Sequence, residues 1–432
     1  MTTAVPLGYP IHEHTLENGL RVVVSPDHAV PFVAVNLWYD VGSRDEQPGR
    51  TGLAHLFEHV MFQGSEHVAS GEHFNTLQAS GATGNATTWF DRTNYFEAVP
   101  TGVLDLALWL EADRMANLLP ALTQENLDTQ REVVKEEKRQ RYDNQPYGDT
   151  IDHLLALAFP PEHPYGHTVI GSMADLDAAS LEDAHAFFTT WYAPGNAVLT
   201  LVGDVSAKDG LAKARRYFGK LPSRGVPSRS RVSPLPPHSG VPRRVTTAPV
   251  PADMVYLQWR TPARGSRVAD AVDIALTVLG GSETSRLYRR LVRDDATCSA
   301  AGASGIPLAW GNSLGMAFAR VLDGADPAAV EEALGDEAAR LSEDGPSAAE
   351  LQRAHIQFER EWLGECARLE SRADLFSAHA TLYDSPARVN ERIVEYTSIS
   401  ADEVRAAARS WLRPDQRAVL EYRRGPMGPE QW

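Results

Sequence analysis

Three residues in the run Gly52-Leu53-Ala54-His55-Leu56-Phe57-Glu58-His59-Val60-Met61-Phe62 have the types and spacing for chemistry. His55, Glu58 and His59 stand at i, i+3 and i+4, so on a helix they share one face. Two neutral imidazoles on one face can hold a zinc ion, and a carboxylate beside them can take a proton from metal-activated water. The order His-x-x-Glu-His reverses the commoner His-Glu-x-x-His, yet both keep the three side chains together. With 14 histidines in 432 residues, a chance match is expected only roughly 0.03 times. Leu53, Leu56, Phe57, Val60 and Met61 surround the motif with apolar residues, so this helix must be largely buried. A buried histidine pair without partners is costly.

A catalytic zinc needs a third protein ligand and an open position. The run Gln130-Arg131-Glu132-Val133-Val134-Lys135-Glu136-Glu137-Lys138-Arg139 offers it. If Val133 and Val134 define the buried face of a helix, Glu137 projects between them and Glu136 projects toward solvent. Gln130, seven residues before Glu137, falls on the same stripe and is expected to neighbour that ligand. Glu132, Lys135, Glu136, Lys138 and Arg139 read as a solvated helix face.

The elements that must position these groups follow from pattern. Strands are expected at Arg21–Ser25, Phe32–Tyr39 and Ala197–Val202, and Ala86–Val99 reads as strand with a turn. Helices are expected at Leu104–Leu119, Asn126–Arg141, Leu154–Phe159 and Leu181–Trp191. From Leu221 to Arg244 the chain is rich in Pro, Ser, Gly and Arg, cannot bury a core, and reads as a linker. Beyond it the order of element types repeats: a strand at Val255–Arg260, helical stretches at Ala269–Val292, Pro327–Leu341 and Ala348–Leu369, and a last strand at Ala418–Tyr422. This predicts an α+β fold of two structurally similar, duplicated αβ domains facing each other, each a mixed sheet with helices packed on it. The boundaries are a zinc-binding domain at 1–220, a linker at 221–244 and a non-zinc-binding domain at 245–432. Trp38, Trp109, Trp191 and Trp259 are expected in the core.

Composition sets limits. The hydrophobic share of 43% and charged share of 23% are those of a globular chain, and a formal charge of −16 argues against nucleic acid as partner. Cys298 and Cys366 give neither a disulfide framework nor a zinc knuckle. No apolar run is long enough to span a bilayer, and the first residues, Met1 to Gly8, lack a secretory pattern, so the expected location is cytoplasmic. His12 and His14 read as a surface strand, and His163 and His167, which frame a Pro-Tyr-Gly turn, as loop-packing residues.

The chain resembles the pitrilysin/insulinase family of zinc metallopeptidases, which includes the mitochondrial processing peptidase subunits. The resemblance runs from His14-Thr15-Leu16-Glu17-Asn18-Gly19-Leu20 through Val41-Gly42-Ser43-Arg44-Asp45-Glu46, the His-x-x-Glu-His helix, Gly84-Asn85-Ala86-Thr87-Thr88, His163-Pro164-Tyr165-Gly166 and Trp191-Tyr192-Ala193-Pro194-Gly195-Asn196, to Ser285-Arg286-Leu287-Tyr288 in the second half. It implies Zn²⁺ held by His55, His59 and Glu137, with Glu58 as general base. It implies that Asn85 and Ala86 lie on the edge strand that receives a peptide, and that Phe62 lines the pocket beside the scissile bond. Many members carry glutamate where this chain has Gln130. Active members, or their partner subunits, also carry an Arg and a Tyr seven apart in the second half; here Arg293 is followed at position 300 by Ala. The pattern resembles a catalytic subunit of a heterodimer whose homologous partner lacks the zinc motif and supplies Arg and Tyr. A homodimer is the other arrangement. The expected activity is endopeptidase cleavage of peptides or unfolded polypeptides; the alternative is a non-catalytic structural or assembly subunit.

Overall fold

A computed structural model describes residues 5–225, 228–229 and 232–426. Residues 226–227 and 230–231 of the expected linker, and the first four residues of the Met1 to Gly8 stretch, lie outside the described residues. Along the chain come β1 (His12–Thr15), β2 (Arg21–Pro26), β3 (Phe32–Tyr39), α1 (Leu53–Val60), α2 (Glu72–Ala79), β4 (Thr83–Thr88) and β5 (Thr93–Pro100). Next are α3 (Leu104–Asn117), α4 (Gln124–Lys138), α5 (Thr150–Ala158), α6 (Met173–Ala178), α7 (Leu181–Trp191), β6 (Ala197–Gly203) and α8 (Ala207–Phe218). The second half holds β7 (Arg243–Ala248), β8 (Met254–Pro262), α9 (Arg267–Gly280), β9 (Cys298–Ile306), β10 (Asn312–Val321), α10 (Pro327–Asp344) and α11 (Ala348–Ala367). It ends with α12 (Leu369–Tyr383), α13 (Arg388–Thr397), α14 (Ala401–Trp411) and β11 (Ala418–Arg424).

These elements form two compact units, one of residues 1–138, 167–230 and 361–392, the other of 139–166, 231–360 and 393–432. The first is built on a six-stranded sheet in the order β1-β2-β6-β3-β5-β4, the second on a five-stranded sheet in the order β7-β11-β8-β10-β9. With β1 set aside, the two sheets share one topology. In each, the first and last strands of the half pair in parallel (β2 with β6, β7 with β11), and every other ladder is antiparallel. The fold is therefore α+β with a duplicated mixed-sheet domain, as the repeating element order predicts.

Each sheet borrows a helix from the other half of the sequence. In the first unit α12 lies on β3 and β6, where Trp38 donates its indole N–H to Asp374 at 2.8 Å and Ser377 bonds Thr200 at 2.8 Å. In the second unit α5 lies against β8 and β11, where the Gln258 amide donates to the Leu154 carbonyl and the Arg260 guanidinium to the Ala158 carbonyl. The Ala158 carbonyl is one of those at the helix end that have no partner within α5.

Two expectations about burial are corrected. Val133, placed on the buried face of its helix, is 45% exposed; the covered stripe of α4 runs through Leu127 and Val134, seven residues apart. Trp109, expected in the core, is 40% exposed, whereas Trp38 and Trp259 are buried. Among the described residues no helix is long and apolar enough to cross a membrane. Cys298 and Cys366 are buried, free thiols.

Candidate metal centre

The helix α1 begins at a backbone turn that favours glycine. Gly52 has φ 88°, and a Cβ there would lie 2.7 Å from the Ile170 carbonyl oxygen. No side chain at position 52 can cap the helix, so the cap comes from a distance. The buried Glu46 carboxylate accepts the Gly52 N–H at 2.9 Å and the Ala54 N–H at 2.7 Å. These are donors that a helix N-terminus otherwise leaves open, and a carboxylate there suits the helix dipole. Burial pushes the Glu46 carboxyl well up, and the two N–H groups pull it back.

Leu53, Ala54, Leu56, Phe57 and Val60 form the buried face of α1. The Phe57 ring packs among Phe187, Phe188 and Tyr192 with centroid separations of 5.6, 5.9 and 4.9 Å. Burial of one such ring stabilises by about 1.5–3 kcal/mol, which fixes the rotation of the helix about its axis. His55, Glu58 and His59 are left on the other face, half-buried, with the two imidazoles edge to face at 4.9 Å. Opposite lies α4, with Glu137 half-buried one turn beyond Val134.

The structure brings the three expected ligands together. Glu137 Oε2 is 3.4 Å from His59 Nε2 and 3.7 Å from His55 Nε2. Zinc bound tetrahedrally at about 2.0–2.1 Å requires donors spaced by roughly 3.3 Å. The two nitrogens and one oxygen therefore fit a zinc ion in both chemistry and spacing. Glu58 accepts a hydrogen bond from the Thr88 hydroxyl at 2.5 Å. Burial raises its carboxyl above the ordinary value, while Thr88, His59 and Arg92 act against that and Glu137 adds to it. Gln130 is half-buried on α4, and Glu136 points to solvent.

The other expected residues lie just beyond α1 and on β4. Phe62, just beyond α1, stacks on Phe74 of α2 at 4.3 Å and meets Tyr95 edge-on at 5.8 Å. Asn85 and Ala86 lie on β4, which among the described residues pairs with β5 alone and forms the edge of its sheet. Asn85 Oδ1 accepts the Ala86 N–H at 2.9 Å. The β4–β5 turn is clamped from below: Ser43 and Arg44 N–H groups donate to the Trp89 and Phe90 carbonyls, and the buried Arg44 guanidinium pairs with Asp91 at 2.7 Å.

Two groups were not foreseen from the sequence. Thr88 is one; its place four residues beyond Gly84 on the edge strand was visible, but its reach to Glu58 depends on how β4 crosses α1. The other is a buried trio, His73, Glu97 and Glu111. Arg114 lies within it, paired with Glu111 and 3.7 Å from Glu97. Its guanidinium also sits over the Tyr95 ring at 4.2 Å and the Phe62 ring at 5.0 Å. That guanidinium already supplies the positive charge two buried carboxylates demand. Burial pushes Glu111 up to about 8 and His73 down to about 3.

Comparison with known proteins bears on the family and the fold. The family model described as "Insulinase (Peptidase family M16)" matches residues 21–171, and the one described as "Peptidase M16 inactive domain" matches residues 178–358. The chain is 32% identical over 293 residues to zinc protease PqqE of Helicobacter pylori, a match that covers 66% of this chain and 64% of that protein. An uncharacterized zinc protease of Streptomyces coelicolor is 24% identical, over 98% of this chain and 91% of its own. Among solved structures, a protease from Helicobacter pylori superimposes with a TM-score of 0.89 at 25% identity, over 97% of this chain and 100% of that one. Pitrilysin shares the fold with a TM-score of 0.79 at 17% identity, over 98% of this chain but 46% of its own. With two models of one family matching residues 21–171 and 178–358, and the two-sheet fold shared with the solved protease, the chain belongs to the insulinase, or M16, family of peptidases.

Proposed function

We propose that this chain is a zinc-dependent endopeptidase in which His55, His59 and Glu137 hold the metal and Glu58 is the general base. The observation that carries this reading is the convergence of the His55 and His59 Nε2 atoms on one oxygen of Glu137, at 3.7 and 3.4 Å, with Glu58 on the same helix face. When bound, zinc lowers the pKa of a ligated water and polarises the carbonyl of the scissile bond. The residues of the chain do the rest. Glu58 takes the proton of the attacking water and passes it to the leaving amine. The partly apolar setting that raises its carboxyl suits both transfers. An extended peptide adds to the open edge of β4 at Asn85 and Ala86, so that backbone bonds give affinity with modest sequence preference. Phe62, backed by Phe74, gives an apolar wall beside the scissile bond. Gln130, seven residues before Glu137 on the same helix, is the expected neighbour of that ligand and adds no charge.

The second half lacks the tyrosine expected seven residues after Arg293. Ala300 stands there on β9, paired with Arg320, and Arg293 lies over the Tyr288 ring at 5.9 Å. This favours a heterodimer with a homologous subunit that carries Arg and Tyr. Buried free thiols at Cys298 and Cys366 suit a reducing compartment such as the cytoplasm.

The test uses the purified chain, metal analysis and a fluorogenic peptide. One zinc per chain, with cleavage abolished by a chelator and restored by Zn²⁺, supports the proposal. Zinc without cleavage, followed by cleavage on addition of the homologous subunit, supports the heterodimer. Absence of zinc from the fully folded chain contradicts the metal assignment, and full activity of the chain alone contradicts the need for a partner.

A further inference from the structure

The base is tied to the strand expected to carry the substrate. Thr88, the last residue of β4, donates its hydroxyl to Glu58 Oε2 at 2.5 Å. The hydroxyl is a single donor, and a carboxylate has two oxygens; with Oε2 engaged by Thr88, Oε1 is the one left for water. The backbone of Thr88 has a second place in the same region. In the antiparallel β4–β5 ladder Thr88 stands opposite Thr93, one step from the Trp89–Arg92 closure, where the Trp89 N–H donates to the Arg92 carbonyl at 2.8 Å. Hydrogen-bonded and non-hydrogen-bonded pairs alternate along such a ladder. The Thr88–Thr93 pair is of the second kind, so the Thr88 N–H and carbonyl face away from β5. Among the described residues β4 has no partner on that side. Thr88 thus offers backbone groups to the open edge and its side chain to Glu58.

The turn that follows holds Thr88 in this position. The Ser43 and Arg44 N–H groups bind the carbonyls of Trp89 and Phe90, and Arg44 bonds Asp91. On the neighbouring position, Arg92 donates to the Thr87 carbonyl at 2.8 Å. A threonine at the end of a strand braced in this way has little freedom to turn away from the carboxylate.

We propose that Thr88 is a positioning residue for the peptidase reaction: its hydroxyl fixes the rotamer of Glu58 and couples the orientation of the base to the strand on which the peptide lies. The proposal rests on Glu58 as the base, and Thr88 itself contacts neither metal nor scissile bond. Without the hydroxyl, the Glu58 carboxylate samples orientations in which neither oxygen meets the attacking water, so the loss falls on kcat and not on binding.

The experiment compares Thr88→Val, which keeps the branched shape without the donor, with Thr88→Ser, which keeps the donor. Both are prepared in the form of the protein that cleaves a fluorogenic peptide, with zinc content and thermal melting measured alongside. Thr88→Val is expected to lower kcat by about tenfold or more, with KM within about twofold and one zinc retained; Thr88→Ser is expected to recover most of kcat. Three results overturn the proposal: an unchanged kcat in Thr88→Val, a rise in KM alone, or equal losses in the Val and Ser variants. Loss of zinc from Thr88→Val also overturns it, because the hydroxyl then serves the metal site and not the base. Glu58→Gln separates the two levels. Full cleavage by that variant removes the base assignment whatever Thr88 does, whereas an inactive Glu58→Gln with a fully active Thr88→Val removes only the coupling.

Discussion

Glu46 lies outside the proposed metal centre yet holds the helix that carries two of its ligands, and its replacement offers a quantitative test. The carboxylate is fully buried and accepts the Gly52 and Ala54 N–H groups at 2.9 and 2.7 Å, directly before His55. Glu46→Ala removes both acceptors and leaves two N–H groups at the start of α1 without partners. Hydrogen bonds to a charged group contribute about 1.5–3 kcal/mol each, while the desolvation of the buried carboxylate offsets part of that. The net loss is about 2–3 kcal/mol, comparable to the upper end for removal of an N-terminal cap. For a unit of this size that corresponds to a fall in Tm of roughly 5–10 °C. Fraying of the first turn displaces His55 relative to Glu137, so zinc affinity falls as well, by about tenfold or more. Glu46→Gln keeps one acceptor but sets its amide against the other N–H, and its effect is expected between wild type and Ala. The assays are thermal melting with and without zinc and a competition titration with a chromogenic chelator. A Glu46→Ala protein that melts within about 1 °C of wild type and holds zinc equally well would refute the claim that this carboxylate anchors α1.

Two further outcomes follow from the geometry. A Cβ on Gly42 would meet the Trp89 and Phe90 carbonyl oxygens at 2.3 and 2.4 Å, so Gly42→Ala is expected to push the β4–β5 turn outward, cost about 1–3 kcal/mol and reduce peptide cleavage; melting and kcat/KM measure both effects. In the second unit, burial opposes the Glu350 charge, but Arg286 and the Ser347 N–H and hydroxyl outweigh it and hold the carboxyl at about 2. A carboxyl depressed by folding stabilises above its unfolded value of 4.5 and loses that contribution as pH falls toward about 2. The melting temperature of wild type is therefore expected to drop through this window, and Glu350→Gln to lose that part of the slope, as read by melting between about pH 5 and 3.

The legible parts of the sequence were those whose pattern has one dominant cause. The strand Phe32–Tyr39 and the helix Leu181–Trp191 were found at their observed limits, and Ala197–Gly203 within one residue. The trio His55, Glu58 and His59 was set by spacing alone, since a helix with its apolar face buried can only present them together. Glu137 faces inward as the helix pattern predicts, but the stripe beside it is defined by Val134 with Leu127 and not by Val133, which is exposed. Two adjacent valines lie about 100° apart on a helix, so only one need be buried, and sequence cannot choose between them. The strands Cys298–Ile306 and Asn312–Val321 were invisible because Ala, Gly and Ser have weak strand preference. The structure shows why small residues are needed there: a Cβ on Gly280 of α9 would lie 2.0 Å from the Ala303 nitrogen, and one on Gly302 2.8 Å from the Phe318 ring. His379 reads as helical from its apolar neighbours, but the limits of α12 are not legible, because Arg372, Ala373, Phe376, Ser377, Ala378, His379 and Ala380 bury it on several faces and erase the amphipathic period. Thr88 and the Arg114 cluster depend on contacts between distant elements and leave no local pattern.

The most direct test of the account is Glu58→Gln, which preserves size and the Thr88 contact but removes the proposed base. The account predicts one zinc per chain, as in wild type, melting within about 2 °C, and peptide cleavage reduced by about 10²-fold or more. A Glu58→Gln protein that binds zinc and cleaves peptide at the wild-type rate would contradict the assignment of this site as the center of a metallopeptidase.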